Sequence, residues 1–143
     1  MKAVDTNILL YAHRKESAHH RLAYQVLLEM SEGVQPWAIP WPCCGEFLRV
    51  ATHPSFYDPP TSIGVALANL ESLLESPTVS LIGETERHQA IFFDTIRRFH
   101  IRGNLIFDAK IYAICREHGV SEIVTADAHF LRFDHIRVTN PFR

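Results

Sequence analysis

The stretch Lys2–Ala12, KAVDTNILLYA, decides how the rest of the chain is read. Lys2–Asp5 is a short apolar strand that ends on a carboxylate, and Asn7–Ala12 turns at once into a helical pattern. The same alternation of short apolar runs and helical patterns continues to the end of the sequence, which favours a parallel sheet covered by helices. Working outward, Ser17 is expected to cap a helix that ends near Gly33, with Leu22, Val26 and Leu27 on its apolar stripe. A second strand falls at Trp37–Ile39, and Pro42 suits the first turn of a helix reaching about Thr52. The proline-rich segment His53–Pro60 is turn material. Further helices are expected over Ser62–Glu75, from about Glu84 to Phe99, and from a cap at Asn104 to Gly119. The remaining strands are Val79–Ile82, Glu122–Thr125 and a possible edge strand at Ile136–Val138. The expected architecture is a three-layer α/β/α sandwich around a central parallel sheet of four to five strands, without repeats or linkers.

Four carboxylates punctuate these apolar segments: Asp5, Glu46 in PWPCCGEFLRV, Asp108 in NLIFDAKIYAI and Asp127 in EIVTADAHF. A carboxylate at the edge of a buried segment is costly unless it is paired, hydrogen-bonded or coordinating a cation. Asp5 ends the first strand and Asp127 follows the fourth, which places both on the edge where open parallel sheets bind ligands. Asp108 and Glu46 lie near the starts of helices, and Asp108 shares a helix face with Asn104. Singly, each acid has a plain role, as an N-cap (Asp5, Asp127) or as a partner of a helix dipole (Glu46, Asp108). Jointly, four separate explanations are needed where one suffices. Converging carboxylates require a cation, because two unit charges ~4 Å apart repel by about 4 kcal/mol at an effective dielectric near 20. An oxygen-only donor set suits Mg²⁺ or Mn²⁺ better than zinc, and such an ion activates water against a phosphodiester. Thr6, Asn7 and Thr125 then read as groups that orient the carboxylates, or else as simple capping and turn residues.

Composition sets the bounds. A chain of 143 residues is long enough to bury a substantial core. Its 14 Lys and Arg against 16 Asp and Glu exclude bulk electrostatic coating of nucleic acid. With the four acids set aside for metal, however, the remaining surface is net basic, so a nucleic-acid substrate is permitted. Cys43, Cys44 and Cys115 show no zinc spacing and read as reduced, buried thiols, which fits a cytoplasmic protein. No signal-peptide pattern and no run of membrane-span length is visible.

The string VDTNILLYA, followed in order by a mid-chain helical Glu, by LIFDAKIYAICREHG and by TADAHF, resembles the PIN-domain ribonucleases, and within them the VapC-type toxins of bacterial toxin–antitoxin pairs. The resemblance covers nearly the whole chain, 1–143, as a single PIN-like domain. It implies that Asp5, Glu46, Asp108 and Asp127 bind one or two Mg²⁺ or Mn²⁺ ions and drive hydrolysis of RNA, and Asn7 matches a polar position beside the first acid. It also implies a homodimer and a cognate antitoxin whose C-terminal segment enters the acidic cleft through an arginine. The Ser62–Glu75 helix, with more leucine than one buried face requires, points to the same dimer.

Other features are weaker. Arg97, Arg98 and Arg102, with His100, form a basic cluster suited to RNA phosphates or merely to a solvated helix end. Phe56 and Tyr57 offer rings for base stacking, though packing is the plainer role. His13, Arg14 and Lys15 follow Asp5 closely enough to reach its pocket. His19 and His20 point apart, and Trp37 and Trp41 read as core. Three alternatives stand beside the ribonuclease reading: a structure-specific DNA or rRNA-processing nuclease, a receiver-like phosphorylation or interaction domain, and a haloacid-dehalogenase-type phosphatase. The receiver needs paired acids after the first strand, and the phosphatase needs an acid where Asn7 stands.

Overall fold

Ala3 and Val4, Trp37–Pro40 and Glu122–Val124 are buried without alternation, as strands covered on both faces must be. They are the middle of a five-stranded parallel sheet. The computed structural model describes all of residues 1–143. Its strands are β1 (Lys2–Val4), β2 (Trp37–Pro40), β3 (Val79–Ile82), β4 (Glu122–Val124) and β5 (Arg137–Thr139), in the spatial order β3-β2-β1-β4-β5. The less buried β3 and β5 are the edges.

Six helices complete the layers: α1 (Thr6–His13), α2 (His20–Glu32), α3 (Trp41–Ala51), α4 (Ile63–Leu74), α5 (His88–Phe99) and α6 (Leu105–Glu117). A 3-10 turn, Ala128–Arg132, precedes β5. Helices α1 to α4 pack among themselves, and α5 packs on α6. The chain steps from β1 to β3 in one direction across the sheet, then returns to β4 on the far side of β1. Right-handed crossovers therefore put the two helix groups on opposite faces. The direction reverses between β1 and β4, and at such a switch point the connections diverge and leave a crevice at the carboxyl ends of the strands.

Element starts differ from the expectations where the capping chemistry differs. Ser17 accepts the backbone N–H of His19 (3.1 Å), so it closes a turn before α2, and the helix begins at His20. Asn104 stands at the cap of α6 in a helical conformation and makes no capping bond with its side chain. Helix α5 starts at His88 because Thr85 and Arg87 are engaged with Glu117. Ser62 does cap α4, accepting from Val65 N. Trp37 is 1% exposed and belongs to the core, whereas Trp41 is 57% exposed and only rests its ring over Gly83, where a Cβ would come within 3.1 Å. No helix is long and apolar enough to cross a membrane.

Candidate active site

A single residue separates β1 from α1, and that residue is Asp5. Its backbone N–H still belongs to the sheet, donating to Val124 O (3.1 Å), while its side chain caps the helix. Oδ1 accepts the Thr6 N–H at 2.7 Å. Oδ2 accepts the Thr125 hydroxyl at 2.7 Å and the Asn7 amide at 3.2 Å. Asn7 also donates to Thr125 Oγ1 (3.0 Å) and accepts the N–H of Ala126 (3.0 Å). The Thr125 hydroxyl in turn accepts the N–H of Asp127 (3.0 Å). Asn7 and Thr125 therefore tie the end of β1 to the end of β4 and hold Asp5 in one orientation. Thr6 does so only through its backbone: its own hydroxyl is buried without an oxygen or nitrogen partner. Cys43, a buried neutral thiol whose pKa burial pushes up, touches Asp5 Oδ1 at 3.7 Å.

Asp127 caps the 3-10 turn by accepting the His129 N–H at 2.8 Å. The turn is anchored by Phe130, fully buried, and by Phe133, stacked on Tyr112 with ring centres 4.4 Å apart. Asp108 enters from the first turn of α6. Glu46 comes from α3, six residues beyond the end of β2, and its side chain reaches toward solvent. The structure thus brings all four acids to the carboxyl edge of the sheet, around the switch point, and the titration of Asp5, Glu46 and Asp108 reflects it. Burial pushes the Asp108 carboxyl up to about 6, with the charges of Asp127, Asp5 and Glu46 adding to the shift and His129 opposing it. Partial burial also raises Glu46, followed by Asp5, against the pull of Arg49. Asp5 is raised by burial first and by Asp127 as well, despite the three hydrogen bonds that favour its ionised form.

No Lys or Arg lies within ion-pair reach of Asp5, Asp108 or Asp127; the nearest basic group is His129, 3.1 Å from Asp127 Oδ1 and 3.7 Å from Asp108 Oδ2. Oxygen donors with one imidazole, crowded until they resist ionising and left without a fixed cation, fit a hard divalent ion. Reading the sequence alone missed His129. Its signal was only the spacing, two residues beyond Asp127 at the start of a short turn. Asp5 caps α1 and Asp127 caps the 3-10 turn, as the plain reading expects, and the same two carboxylates face the acidic cluster.

A PIN-domain family model matches residues 2–136. The chain is 32% identical over 142 residues to ribonuclease VapC43 of Mycobacterium tuberculosis, covering 99% of this chain and 95% of the relative. It belongs to the PIN-domain family, among the VapC-type members. Ribonuclease VapC48 of the same organism is 30% identical over 138 residues, with 96% and 95% covered. Among solved structures, M. tuberculosis VapC20, a sarcin–ricin loop cleaving toxin, superposes with a TM-score of 0.70 at 17% identity over 96% of this chain and 99% of that one. The VapBC2 complex of Rickettsia felis bound to promoter DNA gives 0.70 at 17% identity over 97% of both chains. These structural likenesses show the same fold over nearly the whole chain.

The remaining expected residues of this PIN fold lie outside the acidic edge or are engaged elsewhere. Arg98 is held by Asp134, while Arg97 and Arg102 are exposed. His13 and Arg14 do not turn toward Asp5. They bind the proline-rich loop instead, His13 at Thr61 (2.9 Å) and Arg14 at Thr61 and the Pro59 carbonyl (both 2.9 Å) with its guanidinium over Tyr57. Phe56 is exposed, with the Arg49 guanidinium 5.9 Å from its ring centre. His19 stacks on Phe142, and His20 meets the Tyr11 carbonyl.

Proposed function

We propose that the protein is a Mg²⁺- or Mn²⁺-dependent endoribonuclease, one domain over its length, acting in the cytoplasm as the toxin of a toxin–antitoxin pair. The observation that carries this reading is the gathering of Asp5, Glu46, Asp108 and Asp127 at the switch point with no Lys or Arg to neutralise Asp5, Asp108 or Asp127. The relatives' names as VapC ribonucleases support RNA as substrate. Asp5, Asp108, Asp127 and Glu46 would hold one or two ions, and an ion so held supplies activation of water and neutralises charge on the phosphodiester. Asp5 has the least freedom, because Thr6, Asn7 and Thr125 fix its two oxygens; it would be the most rigid of the residues holding an ion. Asp108, pushed up to about 6 by burial, would have to be ionised to hold an ion. Arg97 and Arg102 are the free cations suited to RNA phosphates.

The partner half of the reading has its own support. A groove of about 470 Å³ runs between α2 and α4, lined by Tyr24, Leu27, Leu28, Leu70 and Leu73, and Ile63, Val65 and Leu67 of α4 are exposed. Such apolar surface suits a second copy of this chain and an antitoxin segment. An antitoxin arginine would satisfy the acidic edge with bidentate hydrogen bonds. The deciding experiment is cleavage of a structured RNA by the purified chain. Cleavage is expected with Mn²⁺, and it should be absent in excess EDTA and in the Asp108→Asn variant. Equal cleavage in EDTA would sink the metal reading. Light scattering at micromolar concentration tests the dimer, and co-purification with the product of the adjacent reading frame tests the antitoxin.

A further inference from the structure

His129 brings an imidazole into a set of donors otherwise made of oxygen. One donor atom each from Asp108, Asp127 and His129 lies within 4.8 Å of the other two. His129 Nδ1 is 3.1 Å from Asp127 Oδ1 and 3.7 Å from Asp108 Oδ2. Ligand atoms side by side on a six-coordinate ion with bonds of ~2.1 Å stand ~3.0 Å apart, and opposed ones ~4.2 Å. Both observed spacings fall in that interval. The side chain is held there by its own backbone, because the His129 N–H is bound to Asp127 Oδ1 at 2.8 Å and the next residue, Phe130, is fully buried. Its imidazole is 59% exposed, so an ion arriving from solvent reaches the ring nitrogen without any rearrangement of the core.

We propose that His129 supplies a nitrogen ligand, beside Asp108 and Asp127, to the divalent ion, and thereby biases the site toward Mn²⁺ over Mg²⁺. The inference rests on the metal-dependent reading above and adds a residue and a selectivity to it. The chemical reason is that Mg²⁺ demands near-ideal octahedral oxygen ligands and parts reluctantly with water, whereas the larger Mn²⁺ exchanges water more readily and takes an imidazole nitrogen in its place at less cost.

The test is Mn²⁺ binding followed by electron paramagnetic resonance on the full-length chain, with pulsed detection of ¹⁴N coupling. Wild type should show a directly bound nitrogen, and labelling with ¹⁵N-histidine should replace the ¹⁴N signature by that of ¹⁵N. His129→Gln should lose it, while His135→Gln, changed at an exposed histidine that faces Asp134, should keep it. His129→Gln should also weaken Mn²⁺ binding about tenfold and Mg²⁺ binding less, so that the ratio of the two affinities narrows. Wild type that binds Mn²⁺ without a nitrogen signature, or a His129→Gln protein with unchanged Mn²⁺ affinity, overturns His129 as a ligand and leaves the ribonuclease reading standing. Wild type that binds no Mn²⁺ overturns both.

Discussion

The two ends of strands β1 and β4 handle carboxylates in opposite ways. At the amino end, Lys2, Glu122 and Arg137 stand in direct register across β1, β4 and β5. Glu122 is buried, paired with Arg137 and with Lys2 (3.5 Å), and bonded by the Thr139 hydroxyl (3.2 Å). Those partners overcome the cost of burial and hold its pKa below the usual carboxylate value. Three residues along the same strands, at the carboxyl end, Asp5 and the Thr125–Asp127 segment gather carboxylates whose only nearby cationic groups are Arg49 and His129, and Asp5, Glu46 and Asp108 are pushed up. Glu117 repeats the first pattern, fully enclosed against His88 (2.6 Å) and the N–H and hydroxyl of Thr85 (2.8 and 2.7 Å). A buried acid that serves the fold is given cations or hydrogen-bond donors. An acid that the fold leaves in repulsion marks a place where something else must supply the charge.

The comparison breaks most visibly in activity. Asp5→Asn should reduce RNA cleavage by about 10³-fold or more, equivalent to the several kcal/mol a positioned ion contributes, and its metal-free melting temperature should equal or exceed that of wild type. Glu122→Gln should do the reverse, keeping cleavage and losing about 1–2 kcal/mol of stability. Cleavage assays beside melting curves in EDTA decide it; an Asp5→Asn protein that cleaves normally would erase the distinction. Glu117→Ala is expected to cost more, about 3 kcal/mol, because His88 and Thr85 are left facing an enclosed gap. Urea unfolding measures that value.

Metal sharpens the contrast next. At a free Mn²⁺ concentration 100 times the dissociation constant, wild type should gain about 2.7 kcal/mol by linkage, with Asp5→Asn gaining less and Glu122→Gln gaining as much. Calorimetric melts with and without Mn²⁺ report it, and equal gains in all three proteins would remove the ion from the acidic edge.

The pH dependences should run in opposite directions. Asp108 titrates near 6 when folded and near 3.8 when unfolded, so between those values the native state holds the extra proton. Its contribution to stability is therefore full below about 4 and is lost as pH rises through 6. The metal-free melting temperature of Asp108→Asn should gain on wild type from pH 4 to pH 7. Glu122, lowered in the fold, stabilises at neutral pH and ceases to do so as acid protonates it, so the deficit of Glu122→Gln should shrink in acid. An Asp108→Asn difference that is flat with pH would argue against crowding at this edge. The smallest effect is at the surface: Arg98→Ala, which breaks an exposed pair with Asp134, should leave the urea midpoint close to that of wild type.

The strands, the helices around Pro42 and Ser62, and the four acids at the borders of apolar runs were legible in local sequence, because period, capping residues and proline act over a few positions. Which acids would be neutralised was not. Glu117 and Glu122 sit at the ends of apolar runs just as Asp108 and Asp127 do, and only their neighbours in space tell them apart. Strand register aligns Lys2 with Glu122 across 120 residues of chain, and it brings the Thr125 hydroxyl to Asp5 across the same separation. The same holds for Trp41, left outside because it stands just past the end of β2 over Gly83, and for His129, which matters only because α6 delivers Asp108 beside it. The sequence by itself determined the elements and the supply of carboxylates. The tertiary structure decided which of them repel, since Coulomb energy depends on distance in space and on the cations that packing places within it.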